Sequence, residues 1–508
     1  MKRLLATALS LVLALGLFAG CRSGASKDVT VTVLFHGSSV AEDKAVVDAA
    51  NARLKELGTG VIFKPIWGTW GDFDTKATTA LDTSDSTVDV MFTCSWSSNN
   101  YVAYSKSGHY VRLDDPENNL LEKYGTGMKA AVPQSLWDGF STSGTKGVGI
   151  YGVPGYKDYS QVYAWDVNNT RLAELGIEFE SINWDLGGEV FYTPEFENAL
   201  KAAKDKYGPS FYPLIFEAEP LARHINTFDA DSIGLLYYDY DADDPSKPEK
   251  PTIVARYDTP EYERYLNKIY EFYQAGYIDA AMSNSQQAGD ARTAALQAGN
   301  YLIGSQTYSY GYDLQASAER GIDARFPQIG KGIVSTGSVQ GAGYAISSFS
   351  KNPDAAMKFL NAWYTDQTLA TIMAYGLEGT HYTKNADGTV TFIKEQRENY
   401  APWRNGMGNI FILPPEDVTG PAYFEEFKAY NEAGVATALV GFTFDPEPVR
   451  NQVAALASVR DEYLFSLNTG TVDPAVALPE FRAKLAANGL NEVVAETNRQ
   501  LEAFFASK

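Results

Sequence analysis

The sequence is poor in cysteine and histidine. Among 508 residues there are 2 cysteines and 4 histidines, so a disulfide framework is excluded. The histidines, at 36, 109, 224 and 381, have no zinc-ligand spacing. No Lys/Arg-rich run follows the first three residues, and 42 Lys+Arg face 63 Asp+Glu, a formal charge of −21. Nucleic-acid binding rests largely on cations that neutralise phosphates, so that function is set aside. No internal repeat or long low-complexity tract is present. No apolar run reaches the ~20 residues that a membrane-spanning helix needs. What remains is globular in character: 45% hydrophobic, 21% charged and 13% aromatic. At about 150 residues per domain, the length suits about three compact units or two large ones.

The one membrane-related signal lies at the start. Lys2 and Arg3 precede a stretch from Leu4 to Phe18 that is apolar apart from Thr7 and Ser10, the pattern of a signal h-region. It ends in Phe18-Ala19-Gly20-Cys21. Small residues before a cysteine resemble the lipobox of bacterial lipoproteins, with Phe18 where Leu is usual. The resemblance implies a signal peptide over 1–20, a lipid on Cys21, a polar tether over 21–27 and an extracytoplasmic location. The alternative is an ordinary secretory peptide cleaved nearby. If Cys21 carries the lipid, Cys94 is the only remaining thiol and no intramolecular disulfide forms. Cys94 follows the run Val88-Asp89-Val90-Met91-Phe92 and reads as a buried residue at a strand end.

The body opens with alternating strand and helix signals. Val29 to Phe35 is a buried strand. Ser39-Val40-Ala41-Glu42 reads as a capping box before a helix that buries Val46, Val47, Ala50, Leu54 and Leu57 and stops near Gly58. Val61 to Ile66 is a second strand, Asp72 to Leu81 a helix and Asp89 to Thr93 a third strand. This is the grammar of a doubly wound α/β lobe. Thr259-Pro260-Glu261 starts a helix that runs to Gln274 before Gly276, lined by Tyr262, Leu266, Ile269, Tyr270 and Tyr273. Asn352-Pro353 starts another, burying Ala356, Phe359, Leu360 and Trp363. Thr380 to Phe392 reads as a hairpin around Asp387-Gly388. Pro479 to Ala487 is a helix closed by Asn488-Gly489, and a last helix carries Leu490, Val493, Val494, Thr497, Leu501 and Phe504. The acidic stretch Asp239 to Pro245 begins like a calcium loop. Its sixth position is Asp244 where Gly is needed and its twelfth is Lys250 where Glu is needed, so it reads as a solvated loop.

Several phrases then fit one family in order and spacing. Ile150-Tyr-Gly-Val-Pro154, Tyr163-Ala-Trp-Asp-Val-Asn168 and Leu172-Ala-Glu-Leu-Gly176 resemble the central phrase of family 1 extracellular solute-binding proteins. Ala294-Ala-Leu-Gln-Ala-Gly-Asn300, Ala342-Gly-Tyr-Ala-Ile-Ser347 and Asn352-Pro-Asp-Ala-Ala-Met-Lys-Phe-Leu360 resemble its middle and return elements. Tyr375-Gly-Leu-Glu-Gly-Thr-His-Tyr382, Gly441-Phe-Thr-Phe-Asp-Pro446 and Glu480-Phe-Arg-Ala-Lys-Leu485 are similar to the long lipoprotein subfamily of oligosaccharide ABC importers. The resemblance implies an α/β clamshell of two lobes interleaved in sequence and joined by hinge crossovers. Lobe 1 is expected over 28–155 and 340–400, lobe 2 over 160–335 and 445–508, with 400–445 on the hinge side. It also implies a non-catalytic receptor, an oligosaccharide as ligand and ABC permease subunits as partners. The only membrane contact would be the lipid anchor. The chain is expected to act as a monomer without cofactor or metal.

A sugar site needs flat apolar faces for ring C–H groups and polar groups for the hydroxyls. In open α/β sheets the ligand crevice lies at the carboxyl ends of strands. Trp67, Trp70 and Asp72 follow the second strand, Trp96 and Asn99 the third, and His36 the first. These are the leading candidates. Trp165 in the crossover phrase, Tyr308 and Tyr310 after Tyr301-Leu-Ile-Gly304, and Trp403 are further aromatic candidates. Lys157 and Asp158 lie just past Pro154, and either bridge ligand and hinge or pack. Glu378 and His381 either approach the cleft or form a structural network around the hairpin. Arg404 suits a carboxylate or a hydroxyl pair, and with Lys157 leaves a charged uronide open as ligand. Trp137, Trp184 and Trp363 are read as packing.

The alternative functions are a secreted glycoside hydrolase, a binder of peptides or amino acids, and a receptor that presents ligand to a sensor kinase. No local carboxylate motif marks the first, and no charged clamp for α-amino and α-carboxyl groups marks the second. The third is not separable from transport.

Overall fold

Val29–Phe35 lies between two parallel neighbours, and from Val31 onward it is buried on both faces. It aligns with Val61–Trp67 from Val29↔Val61 to Phe35↔Trp67, and with Val90–Thr93 at Val33↔Val90 and Leu34↔Met91. Strands covered on both sides read as continuous apolar runs. The computed structural model describes residues 28–83, 86–97, 100–216, 236–238, 246–282, 289–397 and 399–507. The leader, Cys21 and the tether therefore lie outside the described residues, as do Asn99 and the acidic stretch 239–245.

Two strands complete this first sheet from distant parts of the chain. Gly343–Ile346 pairs antiparallel with Val90–Thr93 and with Val153–Pro154. A second sheet has Gln161–Asn168 at its centre. It is flanked by Ile303–Tyr308 and Leu214–Phe216 on one side and by Gln328–Val334 and Val435–Ala436 on the other, with Ala324–Arg325 also paired to it. Each sheet has its own hydrophobic core. The chain leaves the first core between Val153 and Val162, returns between Ile333 and Val339, and leaves again between Phe427 and Leu439. This is a two-lobe α/β architecture with three crossovers. Residues 407–427 contribute Met407, Ile410, Phe411, Leu413, Tyr423, Phe424 and Phe427 to the first core, and Leu439, Phe442 and Phe444 belong to the second. Among the described residues no helix is long and apolar enough to cross a membrane.

The helices form where their caps and apolar spacing allow. Pro353–Thr365 starts with Pro in its first turn and buries Ala356, Phe359, Leu360 and Trp363. Pro260–Gln274 is capped by the Thr259 side chain, which accepts from Tyr262 N. Its buried stripe is Tyr262, Tyr265, Leu266, Ile269 and Phe272; Tyr270 and Tyr273 sit half-buried on the flank. The expected hairpin is Tyr382–Lys384 against Val390–Phe392.

Two boundaries differ from the sequence reading. The capping box at Ser39 does not form: Ser39–Val40 pairs as a short strand with Tyr400–Ala401, and the helix starts later, at Lys44–Glu56. The Glu42 N–H, which the Ser39 cap would have satisfied, donates instead to the Asn399 carbonyl at 3.2 Å, and the helix begins without a side-chain cap. The helix expected from Pro479 begins instead at Pro474, because the Asp473 side chain caps Ala475 N and Pro474 occupies the first turn; Pro479 then lies inside the helix.

Candidate functional site

The register of the three parallel strands brings their carboxyl ends together, and with them His36, the Trp70 loop and the Trp96 loop. A fourth piece arrives from far along the chain. Pairing of Ser39–Val40 with Tyr400–Ala401 delivers Trp403, whose backbone N–H donates to Ser38 Oγ at 3.3 Å. Trp70, Trp96 and Trp403 then surround the His36 ring at centroid distances of 4.7, 5.3 and 6.1 Å. Among themselves the indoles lie 5.0 Å (Trp70–Trp403), 6.1 Å (Trp70–Trp96) and 6.3 Å (Trp96–Trp403) apart. Phe73 and Phe92 close the floor against His36 at 4.2 and 5.2 Å.

The layer order is clear from exposure. His36 is 3% exposed, Trp70 and Trp403 are half-buried, and Trp96 is 47% exposed. The imidazole is therefore a support beneath an aromatic surface. Its Nδ1 has no hydrogen-bond partner, and burial pushes its pKa down to about 4 against the pull of Asp74 and Asp72. It is neutral at physiological pH. The surface also needs glycine: Gly37 has φ +66, and a Cβ there would lie 2.8 Å from Trp70 Cζ2.

The loops that present the indoles are held by polar contacts. Asp72 accepts Thr69 N and the Lys76 ammonium, at 2.8 and 2.6 Å, and so fixes the turn carrying Trp70. Burial would raise its pKa, but the Lys76 and Thr69 donors hold it below the usual carboxylate range. The Trp96 Nε1–H donates to the Gly341 carbonyl at 2.6 Å, while Ser95 N and Oγ donate to the carbonyls of Gln340 and Gly337. Gly337 lies in the second crossover, and Gln340 and Gly341 follow Val339 where the chain re-enters the first core, so the aromatic surface abuts the junction between lobes.

The structure places the other candidates elsewhere. Trp67 turns away: its ring stacks on Phe35 at 4.6 Å and its Nε1–H donates to Asp43 Oδ2 at 2.8 Å. Trp165 is 0% exposed in the second core, packed on Phe191 and Phe196, with its Nε1–H on the Gly187 carbonyl. Trp137, Trp184 and Trp363 are buried. Tyr308 packs on Phe326 and Tyr430 within the second core. Tyr310 reaches across the junction to Tyr423 and Phe427, and its hydroxyl donates to Glu426 Oε2 at 2.9 Å. Cys94 is buried, and that burial pushes its thiol up to about 12, which suits packing and not nucleophilic chemistry.

The charged candidates are committed to one another. Lys157 Nζ donates to Asp158 Oδ1 at 2.5 Å and to the Asp158 carbonyl at 3.0 Å, both residues buried in the first crossover. Asn431 clamps that crossover, donating to the Lys157 carbonyl and accepting from Tyr159 N and Ser160 N. Arg404 donates to Glu416 and to Gln315, and Gln315 in turn donates to the Tyr423 hydroxyl. Burial pushes the Glu416 carboxyl up, opposed by Arg404. Glu378 is exposed and pairs with Lys384 at 3.2 Å. His381 is buried on the hairpin, where its Nδ1 accepts from Leu377 N at 2.9 Å. Burial lowers its pKa.

Sequence reasoning missed Gln315, Glu416 and Tyr423, which have no local motif and meet only at the junction. It also missed the buried set around Asp166, which binds Arg320 at 2.8 Å and Tyr301 at 2.6 Å inside lobe 2. Among the described residues no three His, Cys, Asp or Glu side chains come together as a metal site would need. What the surface offers is three indole faces backed by a neutral ring, which is stacking chemistry.

Comparison with known proteins points the same way. Residues 438–506 match the model of a domain of unknown function, DUF3502. Over 448 residues the chain is 28% identical to a carbohydrate ABC transporter substrate-binding protein of Streptococcus pneumoniae serotype 4, covering 86% of this chain and 84% of that protein. The N-glycan transport solute binding protein NgtS of Streptococcus pneumoniae, solved in complex with Man5GlcNAc, aligns with a TM-score of 0.74 at 24% identity, covering 94% of this chain and 99% of the other. The S. pneumoniae ABC-transporter substrate binding protein FusA, in complex with kestose, aligns with a TM-score of 0.60 at 14% identity, covering 94% and 100%. The chain thus has the fold of these solute-binding proteins over nearly its whole length and is similar in sequence to a carbohydrate ABC transporter substrate-binding protein.

Proposed function

We propose that this protein is an extracytoplasmic receptor that captures an oligosaccharide between its lobes and delivers it to the permease of an ABC importer. Cys21, in a lipobox-like phrase, carries the lipid that holds it at the membrane. The observation that carries the reading is the surface of Trp70, Trp96 and Trp403 over His36, at strand ends and beside the end of the second crossover. The Trp96 N–H is already used, so its ring face is what it presents to the C–H face of a sugar. Each such aromatic contact is worth about 0.5–1.5 kcal/mol beyond area burial. Closure of lobe 2 by a hinge motion over the ligand adds the polar contacts that its hydroxyls need. The carbohydrate relatives and the lipobox-like leader support the same reading.

Titration of the purified protein with glycan panels, followed by tryptophan fluorescence and calorimetry, tests it. Saturable binding of a glycan without turnover is expected. Binding of peptides with no response to any glycan would overturn the sugar assignment, and hydrolysis of a glycan would overturn the receptor assignment.

A further inference from the structure

All three crossovers contribute to one contact, at Ser160. Ser160 is the last residue of the first crossover before the second sheet, since Gln161 already pairs with Ile333. On its other side the crossover is tied to lobe 1. The Asn431 side chain accepts from Tyr159 N and Ser160 N and donates to the Lys157 carbonyl. Asn431 lies on the helix Tyr423–Glu432, whose Tyr423, Phe424 and Phe427 belong to the first core. The other two chains are fixed in the second sheet by the pairs Ile333↔Val435 and Val334↔Ala436. Gly332 and Gly434 come just before these pairs, and a Cβ built on either would land on Ser160 Oγ.

Neither glycine has a positive φ, so space and not backbone conformation excludes a side chain there. The two positions differ in how tightly they do so. At Gly434 a Cβ would also stand 2.7 Å from Ser160 Cβ, which no rotamer of Ser160 relieves. At Gly332 that distance is 3.7 Å, so turning the hydroxyl away suffices. The Ser160 hydroxyl is buried, and among the described residues it has no hydrogen-bond partner. The contact is therefore steric, and no bond is broken when the segments turn. Hinges concentrate their backbone change in a few residues at the ends of elements. Ser160 precedes the strand Gln161–Asn168, and Gly434 lies between the helix ending at Glu432 and the strand Val435–Ala436.

We infer that Ser160, seated against Gly332 and Gly434, is the pivot on which the lobes turn, and that the lack of a β-carbon at both glycines sets the angle between them. This rests on the hinge closure invoked above for ligand capture, and it locates the axis of that motion.

The test reads the distance between lobes without any ligand. Spin labels are attached in the purified protein through Val148→Cys on lobe 1 and Val476→Cys on lobe 2, both exposed positions. Cys21→Ala removes one competing thiol, and Cys94 is buried. Double electron–electron resonance then gives the distance distribution. Gly434→Ala should shift its mean with cooperative melting retained, and Ser160→Gly in the same chain should return it. Ser160→Ala alone, which frees the socket without loosening the backbone, should broaden the distribution. Gly332→Ala should give a smaller shift that Ser160→Ala cancels, and this pair carries the test if Gly434→Ala does not fold. Unchanged distributions in the folded glycine variants would overturn the inference. So would a Gly434→Ala shift that Ser160→Gly leaves in place, which would put the obstruction at Val334, whose Cγ2 would stand 2.9 Å from the same Cβ. Failure of the titration with glycans, beside distances that respond as expected, would overturn the oligosaccharide reading alone.

Discussion

The Trp96 indole N–H donates to the Gly341 carbonyl at 2.6 Å, joining the loop after the third strand of lobe 1 to the segment that follows the return from lobe 2. The bond commits the edge of Trp96 to the protein and leaves its face to solvent. It also ties the aromatic surface to the segment on which the chain re-enters the first core after the second crossover.

The tryptophans divide by exposure, and substitution should divide them too. Trp96→Ala or Trp70→Ala should weaken glycan binding by about 1 kcal/mol or more with the fold retained. Trp165→Ala removes a side chain that is 0% exposed and should cost about 3–5 kcal/mol of stability. Calorimetric titration and denaturant unfolding check the two outcomes.

The Arg404–Glu416 pair lies at the lobe junction, with Gln315 contributed from the lobe 2 helix Tyr312–Arg320. Glu416→Ala should destabilise by about 3–5 kcal/mol, because it leaves a buried guanidinium without its carboxylate. Gln315→Leu keeps the ion pair and should cost only about 1–3 kcal/mol, and small-angle scattering should report a shift toward the open form. Equal losses for both substitutions would show that the pair and the Gln315 link do not act separately.

Neutral His36 makes stability depend on pH. Its folded pKa of about 4 lies below the ordinary 6.5, so between these values the unfolded chain binds the extra proton. Its contribution is therefore fully present above about pH 6.5, falls as pH drops toward 4 and saturates below. The loss is on the order of 3 kcal/mol. His36→Phe should flatten this part of the melting-temperature profile, and an unchanged slope would remove His36 as its source.

Gly37→Ala should strain the left-handed backbone at φ +66 and push against Trp70. A cost of about 1–3 kcal/mol is expected. A shifted tryptophan emission maximum and weaker glycan binding should accompany it.

Much of lobe 1 was legible because its signals are local. Val29–Phe35 is made of β-branched and apolar residues, Val90–Thr93 is nearly all apolar, and the tryptophans at 70 and 96 lie just past strand ends. Local signals fail where a distant segment competes. Ser39 looked like a helix cap until Tyr400–Ala401 arrived to pair with it. Trp67 looked equivalent to Trp70, but side chains alternate along a strand and its end, and Trp67 falls on the face that packs against Asp43 and Tyr400.

The sequence by itself determined the α/β grammar, the resemblance to extracellular solute-binding proteins and the wealth of aromatics at strand ends, since these depend on periodicity, caps and short phrases. Only the tertiary structure decided which aromatics form a surface and which charges are free. Trp403 joins Trp70 and Trp96 across some 300 residues of chain because one short strand pair carries it there. Burial paired Arg404 with Glu416 and Lys157 with Asp158. Burial and pairing belong to the packed chain, and neither is written in the neighbours of a residue along the sequence.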